Sequence, residues 1–198
     1  MIDEFLGWIF EPAGPDEHVL IGLGLKYTMR FGDADLSKLV DSYYCVATGT
    51  GRKKDSGTVA RGRADLIAAY VLVIDDVGTK GGALPPIEPT YKMETSEGNF
   101  QWGYVLEAPV QLDVHGVLYE RAVAAAAMQY GDPKATGAYR LMRLPGSINL
   151  KEGRGRFASR VTHWDTDATW TLERLISELA LVLEEPRPAR VSPAQAAV

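Results

Sequence analysis

Histidine and cysteine are scarce in this chain, and their scarcity removes whole classes of chemistry. Cys45 is the single cysteine, so no disulfide can form within the chain, and with His18, His115 and His163 it gives no ligand spacing of the zinc type. Any metal ion bound here must be held by oxygen. No stretch approaches the roughly 18 to 20 apolar residues that a membrane span needs, and Asp3 and Glu4 stand where a secretory leader is basic. The expectation is a cytoplasmic protein without a membrane partner. Positive charge is also short, with a net charge of −5, the wrong sign for an evenly basic nucleic-acid binder.

What is present is a chain of 198 residues, 46% hydrophobic, long enough for one substantial core. One domain is expected over 1–185, followed by a tail or linker over 186–198 in which Pro186, Pro188 and Pro193 alternate with Ala and Arg. The charge is unevenly spread. Residues 140–160 carry Arg140, Arg143, Lys151, Arg154, Arg156 and Arg160 against Glu152 alone, and residues 52–63 carry five basic side chains against Asp55. These stretches total +9, which leaves −14 on the rest. Clustered positive charge on an acidic body fits a local groove for a polyanion; two solvated surface loops give the same pattern.

Asp35 to Cys45 places Leu36, Leu39, Val40, Tyr43 and Tyr44 at helical spacing, and 49–62 reads as a basic loop rich in Gly, Ser and Thr. Ala68 to Ile74 reads as a strand buried on both faces and ending at Asp75-Asp76. Thr90–Thr95 and Phe100–Leu106 alternate around Ser96-Glu97-Gly98-Asn99, the signal of a hairpin. Val117 to Gln129 predicts an Ala-rich helix stopped by Gly131-Asp132-Pro133. Ala138–Leu144 and Phe157–Trp164 read as strands around the turn Pro145-Gly146-Ser147. Thr171 to Glu184 predicts an amphipathic helix with Leu172, Leu175, Ile176, Leu179 and Val182 inward. The class is α+β, a mixed and largely antiparallel sheet with flanking helices. Trp102, Tyr104, Tyr139 and Trp164 sit at strand spacing, where core packing is the first expectation and base stacking the second.

Several residues could carry chemistry. Asp75 and Asp76 lie at the edge of the most hydrophobic strand, where a carboxylate needs a cation, an Arg or Lys, or turn amides as partner. A turn in which Asp76 bonds its own backbone is one reading; a divalent ion, commonly held by one or two carboxylates plus substrate phosphates, is the other. The tip from Glu94 to Gln101 is either a polar turn or a set of amides and hydroxyls for phosphate oxygens. Arg140, Arg143, Asn149 and Lys151 surround a Pro-Gly turn and suit phosphate recognition, although surface arginines beside a turn are equally ordinary.

Taken in order, these blocks resemble a known family. Val73-Ile74-Asp75-Asp76-Val77-Gly78-Thr79-Lys80, then Glu94-Thr95-Ser96 with Gly98-Asn99-Phe100-Gln101, then Gly131-Asp132-Pro133, then Arg143-Leu144-Pro145-Gly146-Ser147-Ile148-Asn149-Leu150-Lys151 are similar to plasmid and phage primases of the archaeo-eukaryotic primase superfamily. The likeness spans about residues 70–165. It implies a primase-polymerase core that joins nucleotides on single-stranded DNA from nucleoside triphosphates with Mg²⁺ or Mn²⁺, and it leaves room for a helicase on a longer chain or in trans. It implies catalytic, metal-binding roles for Asp75, Asp76 and Asp132. Nucleotide contacts fall to Ser96, Gly98, Asn99, Gln101, Arg143, Asn149 and Lys151. Beside these, Lys80, Arg140, Arg52, Lys53 and Lys54 are candidates for DNA contact: Lys80, close to the acids, either offsets their repulsion, reaches the triphosphate or is a solvated loop lysine, and the loop of Arg52 to Lys54 either follows the template backbone or is plain surface.

The chain departs from the pattern twice. The superfamily usually separates its first two acids by one residue, whereas adjacent Asp75 and Asp76 point to opposite faces of a regular strand. Either the backbone turns there or one acid alone binds metal. Gln101 stands where the wider superfamily tends to have His, and the plasmid-type branch tolerates Gln; a neutral amide bonds phosphate without a charge-assisted proton. Two other classes fit less of the pattern: a non-catalytic DNA-binding module of a replication initiator, and a metal-dependent phosphohydrolase or nuclease.

Overall fold

The computed structural model describes residues 2–153 and 155–184; the expected tail at 186–198 lies outside the described residues. At its centre the apolar run becomes β5 (Leu66–Val77), longer than the run itself and buried almost throughout. It pairs antiparallel with β7 (Asn99–Gln111), which pairs with β6 (Tyr91–Ser96) through the expected hairpin. With β4 (Ala47–Gly49) and β9 (Arg160–Trp164) these make a five-stranded sheet ordered β4-β5-β7-β6-β9. A second, four-stranded sheet is ordered β2-β1-β3-β8, from β1 (Leu20–Leu23), β2 (Tyr27–Arg30), β3 (Ser42–Cys45) and β8 (Leu141–Arg143). Both sheets are antiparallel.

Helices cover both faces of the larger sheet. Helix α1 (Ile2–Ile9) carries Asp3 and Glu4 at its positive N-terminal end and buries Phe5, Leu6 and Ile9 against Val71, Val73 and Tyr91. Ile21, Tyr44 and Met142 of the smaller sheet join that core. On the opposite face, Tyr119, Ala122, Val123 and Ala126 of α2 (Leu112–Tyr130) pack with Leu72, Ile74 and Tyr104. The alanines bring the helix close to the sheet, and the Tyr119 hydroxyl donates to the Val71 carbonyl at 2.8 Å. Helix α3 (Leu172–Glu178) adds Leu172 and Leu175, and its N-terminus is capped by Thr171, whose Oγ1 accepts from Arg174 N at 3.1 Å.

Several local expectations are corrected. The helical spacing at Asp35–Cys45 belongs to a bend and then to β3, because Asp41 takes φ +44° and Ser42–Cys45 find ladder partners in β1 and β8. Helix α2 begins five residues earlier than expected, at Leu112. The strands expected at Ala138–Leu144 and Phe157–Trp164 shorten to β8 and β9, which lie in different sheets. Helix α3 stops at Glu178 with Ala180 at φ +48°, which turns Val182 outward to 77% exposure instead of inward. Trp102 and Tyr104 are core residues, whereas Tyr139 is 46% exposed.

Candidate active site

The pairing of β5 with β7 slips at one place. Ile74 faces Trp102 and Val77 faces Phe100, so Asp75 and Asp76 together oppose Gln101 alone. This is a β-bulge, with Asp76 at φ +58°. An extra residue breaks the alternation of side chains, and both carboxylates face one cavity. The backbone turns at the acids, which removes the objection raised by their adjacency.

The second half of the arrangement comes from the end of α2. Gly131 presses on β5 so closely that a Cβ would lie 2.3 Å from the Asp75 carbonyl oxygen, and Asp132 N donates to that oxygen at 2.8 Å. The loop after β5 is seated the same way, since a Cβ on Gly81 would lie 2.0 Å from the Tyr130 carbonyl. Lys80 is thereby placed between two acids, its Nζ 2.5 Å from Asp76 Oδ2 and 2.6 Å from Asp132 Oδ2. These contacts raise the Lys80 pKa, the Asp132 bond foremost, and the same bond lowers that of Asp132.

Asp75 is held differently. Its Oδ1 accepts from Gln101 Nε2 at 3.0 Å and from Asp76 N at 3.0 Å. Burial, and secondarily the charge of Asp76, raises its pKa against these bonds. Gln101 also accepts from Arg143 N at 3.3 Å and so ties the acids to the smaller sheet. Asn99 donates to Asp76 Oδ1 at 2.5 Å and accepts from Thr79 Oγ1 at 2.7 Å. Asn149 donates to the Thr95 carbonyl at 3.0 Å and accepts from Lys151 N at 3.1 Å. These amides brace the site.

The cavity has a volume of about 610 Å³ and is lined by Asp75, Asp76, Lys80, Ser96, Asn99, Gln101, Asp132, Arg140, Arg143, Asn149 and Lys151 among others. Gly98, Arg52, Lys53 and Lys54 do not line it. Gly98 makes the hairpin turn at φ +68°, Arg52 pairs with Asp65 at 2.6 Å, and Lys53 lies 3.6 Å from Asp33. Residues missed from the sequence also line the cavity, among them Asp41 and Tyr43. Arg143 is committed to them, with Nη1 3.2 Å from Asp41 Oδ1, Nη2 2.8 Å from the Tyr43 hydroxyl, and its guanidinium over the Tyr43 ring. Their signal was the run of strand-forming residues Tyr43-Tyr44-Cys45-Val46, outweighed by an accidental helical spacing. Among the described residues Arg140 Nε is buried without a partner, and Lys151 Nζ has none.

Can these groups hold a divalent ion? Among the described residues no group of three or more His, Cys, Asp or Glu is placed to hold a metal ion by itself. Two carboxylates, however, already share a cation, the Lys80 ammonium, and two carboxylates are what Mg²⁺ commonly takes when phosphates and water complete its shell. Asp76 and Asp132 fit that role, with Asp75 beside them.

No protein-family model and no curated protein matches the chain. Its fold is similar to that of a primase-polymerase domain of known structure. The solved structure that carries this likeness is the AEP domain of the primase-polymerase of cyanophage S-2L, similar at a TM-score of 0.61 over 90% of this chain and 96% of that one, with 14% sequence identity. Among the described residues no helix is long and apolar enough to cross a membrane.

Proposed function

We propose that this chain is a metal-assisted nucleotidyltransferase that builds primers or DNA from nucleoside triphosphates on a single-stranded DNA template, in the replication of a plasmid or phage. The observation that supports it most is the bulge at Asp75-Asp76, which turns both acids into the cavity that Asp132, Arg140, Arg143 and Lys151 also line. Asp76 and Asp132 would hold Mg²⁺ or Mn²⁺, with Asp75 alongside. Bound there, the ion would supply Lewis acidity toward the triphosphate and the attacking 3′-hydroxyl. Arg140 and Lys151 bind the phosphates, being the cavity's cations without a partner among the described residues. Arg143 fixes the Asp41 and Tyr43 wall, while Asn99 and Gln101 orient the carboxylates.

The test is incubation of the purified protein with single-stranded DNA, labelled nucleotides and Mg²⁺ or Mn²⁺, with product length read on a gel. Asp76→Asn and Asp132→Asn should each lower extension about 100-fold or more. Metal-independent DNA binding without any product would favour a binding module, and shortening of the DNA would favour a nuclease.

A further inference from the structure

We infer that Lys80 couples metal binding to nucleotide binding: its ammonium competes with a divalent ion for the position between Asp76 and Asp132, and a triphosphate draws it away. The inference rests on the metal-assisted reading above and adds a role for a residue that the acid motif alone does not require.

Three observations carry it. The Lys80 Nζ stands 2.5 Å and 2.6 Å from one oxygen of each acid, between the two carboxylates that would hold an ion. The backbone beneath it is fixed, with Lys80 N bonded to the Asp76 carbonyl at 3.1 Å and Gly81 pressed on the end of α2, so only the side chain is free to leave. That side chain is 48% exposed and lines the same cavity as Arg140 and Lys151, so leaving breaks no core packing.

Electrostatics then sets the order of events. An ion arriving alone must eject the ammonium into a site that still faces Arg140, Arg143 and Lys151, with no new anion to receive it. A triphosphate supplies that anion. Ion and nucleotide therefore bind each other's complex more tightly than the free protein, which is a reciprocal coupling between the two sites. A lysine that merely neutralises the acids adds nothing to the coupling that shared phosphate ligands give by themselves.

The test is titration with Mn²⁺, following free Mn²⁺ by electron paramagnetic resonance, for wild type, Lys80→Gln and Lys80→Arg, without and with a non-hydrolysable nucleoside triphosphate. Without nucleotide, Lys80→Gln should bind Mn²⁺ about tenfold tighter than wild type, and Lys80→Arg, which keeps the charge, should stay near wild type. Once the Mn²⁺ that the nucleotide holds in solution is subtracted, nucleotide should tighten Mn²⁺ binding in both proteins, because its phosphates complete the ion's shell, and by about tenfold more in wild type than in Lys80→Gln. Adding Asp76→Asn to Lys80→Gln should abolish the gain. Lys80→Met provides a second neutral side chain should the first variant fold poorly. Equal Mn²⁺ affinity in wild type and both neutral variants overturns the coupling, as does a gain that survives Asp76→Asn. Primer extension by wild type alongside either result leaves the nucleotidyltransferase reading standing. A wild type that neither binds Mn²⁺ under any condition nor extends primers overturns both.

Discussion

A carboxylate taken out of water beside a second carboxylate weakens a fold unless something answers its charge, and Asp75 is answered by an amide side chain and a backbone N–H. Burial first, and the Asp76 charge second, raise its pKa above the ordinary value. A folded-state pKa above the unfolded one means that no penalty exists while both states are protonated, and that stability is lost as pH rises through the folded value. Asp75→Asn should therefore melt at a higher temperature than wild type at pH 7, with the gain shrinking as pH falls through the raised folded value and gone below about 4, while extension activity drops. Thermal melts across pH check this; a variant less stable at every pH by a constant amount would sink it. Under the proposed function, the stability given up at Asp75 is the cost of keeping a carboxylate ready for a cation.

Close approach between elements is what brings Asp132 to the β5 acids. Gly131 has φ −146°, outside the left-handed region, and the tight requirement at this position is space. Gly131→Ala must push the end of α2 off β5 against a carbonyl oxygen 2.3 Å from the new Cβ. A loss of about 1–3 kcal/mol is expected, with extension falling in parallel because Asp132 moves. Gly7 is the control. It lies within α1 and has nothing within 4 Å of where a Cβ would stand, so Gly7→Ala should stabilise by about 0.5–1 kcal/mol and leave activity alone. Urea denaturation of the two variants reads both numbers, and equal effects would refute the close-approach argument.

Across the molecule the positive charge is divided between two places. The cavity keeps Arg140 and Lys151 without partners among the described residues, while the basic loop lies outside it and meets its edge through Arg61, which donates to the Tyr139 carbonyl beside Arg140. The proposed function gives these places different duties, nucleotide inside and template outside. Lys53→Ala/Lys54→Ala should weaken single-stranded DNA binding and lower its salt slope by about 0.7 for each phosphate these side chains neutralise, with the KM for nucleotide unchanged. Arg140→Ala/Lys151→Ala should raise that KM about tenfold or more. Fluorescence anisotropy over a salt series and steady-state kinetics separate the two, and a loop variant that changes KM alone contradicts the division.

The sequence by itself determined the pieces whose cause is local. Period-two alternation wrote the β6–β7 hairpin, unbroken apolar character wrote β5, alanine content wrote α2, and the order of acidic, amide and basic blocks named the residues around the cavity. Helix α1 has a local cause too, in Ile2, Phe5, Leu6 and Ile9 at helical spacing behind Asp3 and Glu4, a signal short enough to pass unnoticed beside the longer runs. Tertiary structure decided the rest. Helical spacing at Leu36–Tyr44 yielded to ladder partners in β1 and β8, which are distant in the chain and leave no local mark. The same is true of Asn99, Gln101 and Asn149, whose composition suggested phosphate ligands but whose hydrogen bonds went to Asp76, Asp75 and the Thr95 carbonyl. Above all, whether adjacent Asp75 and Asp76 share a face depends on a one-residue slip between two strands, and register is a property of the pair, which neither strand carries alone.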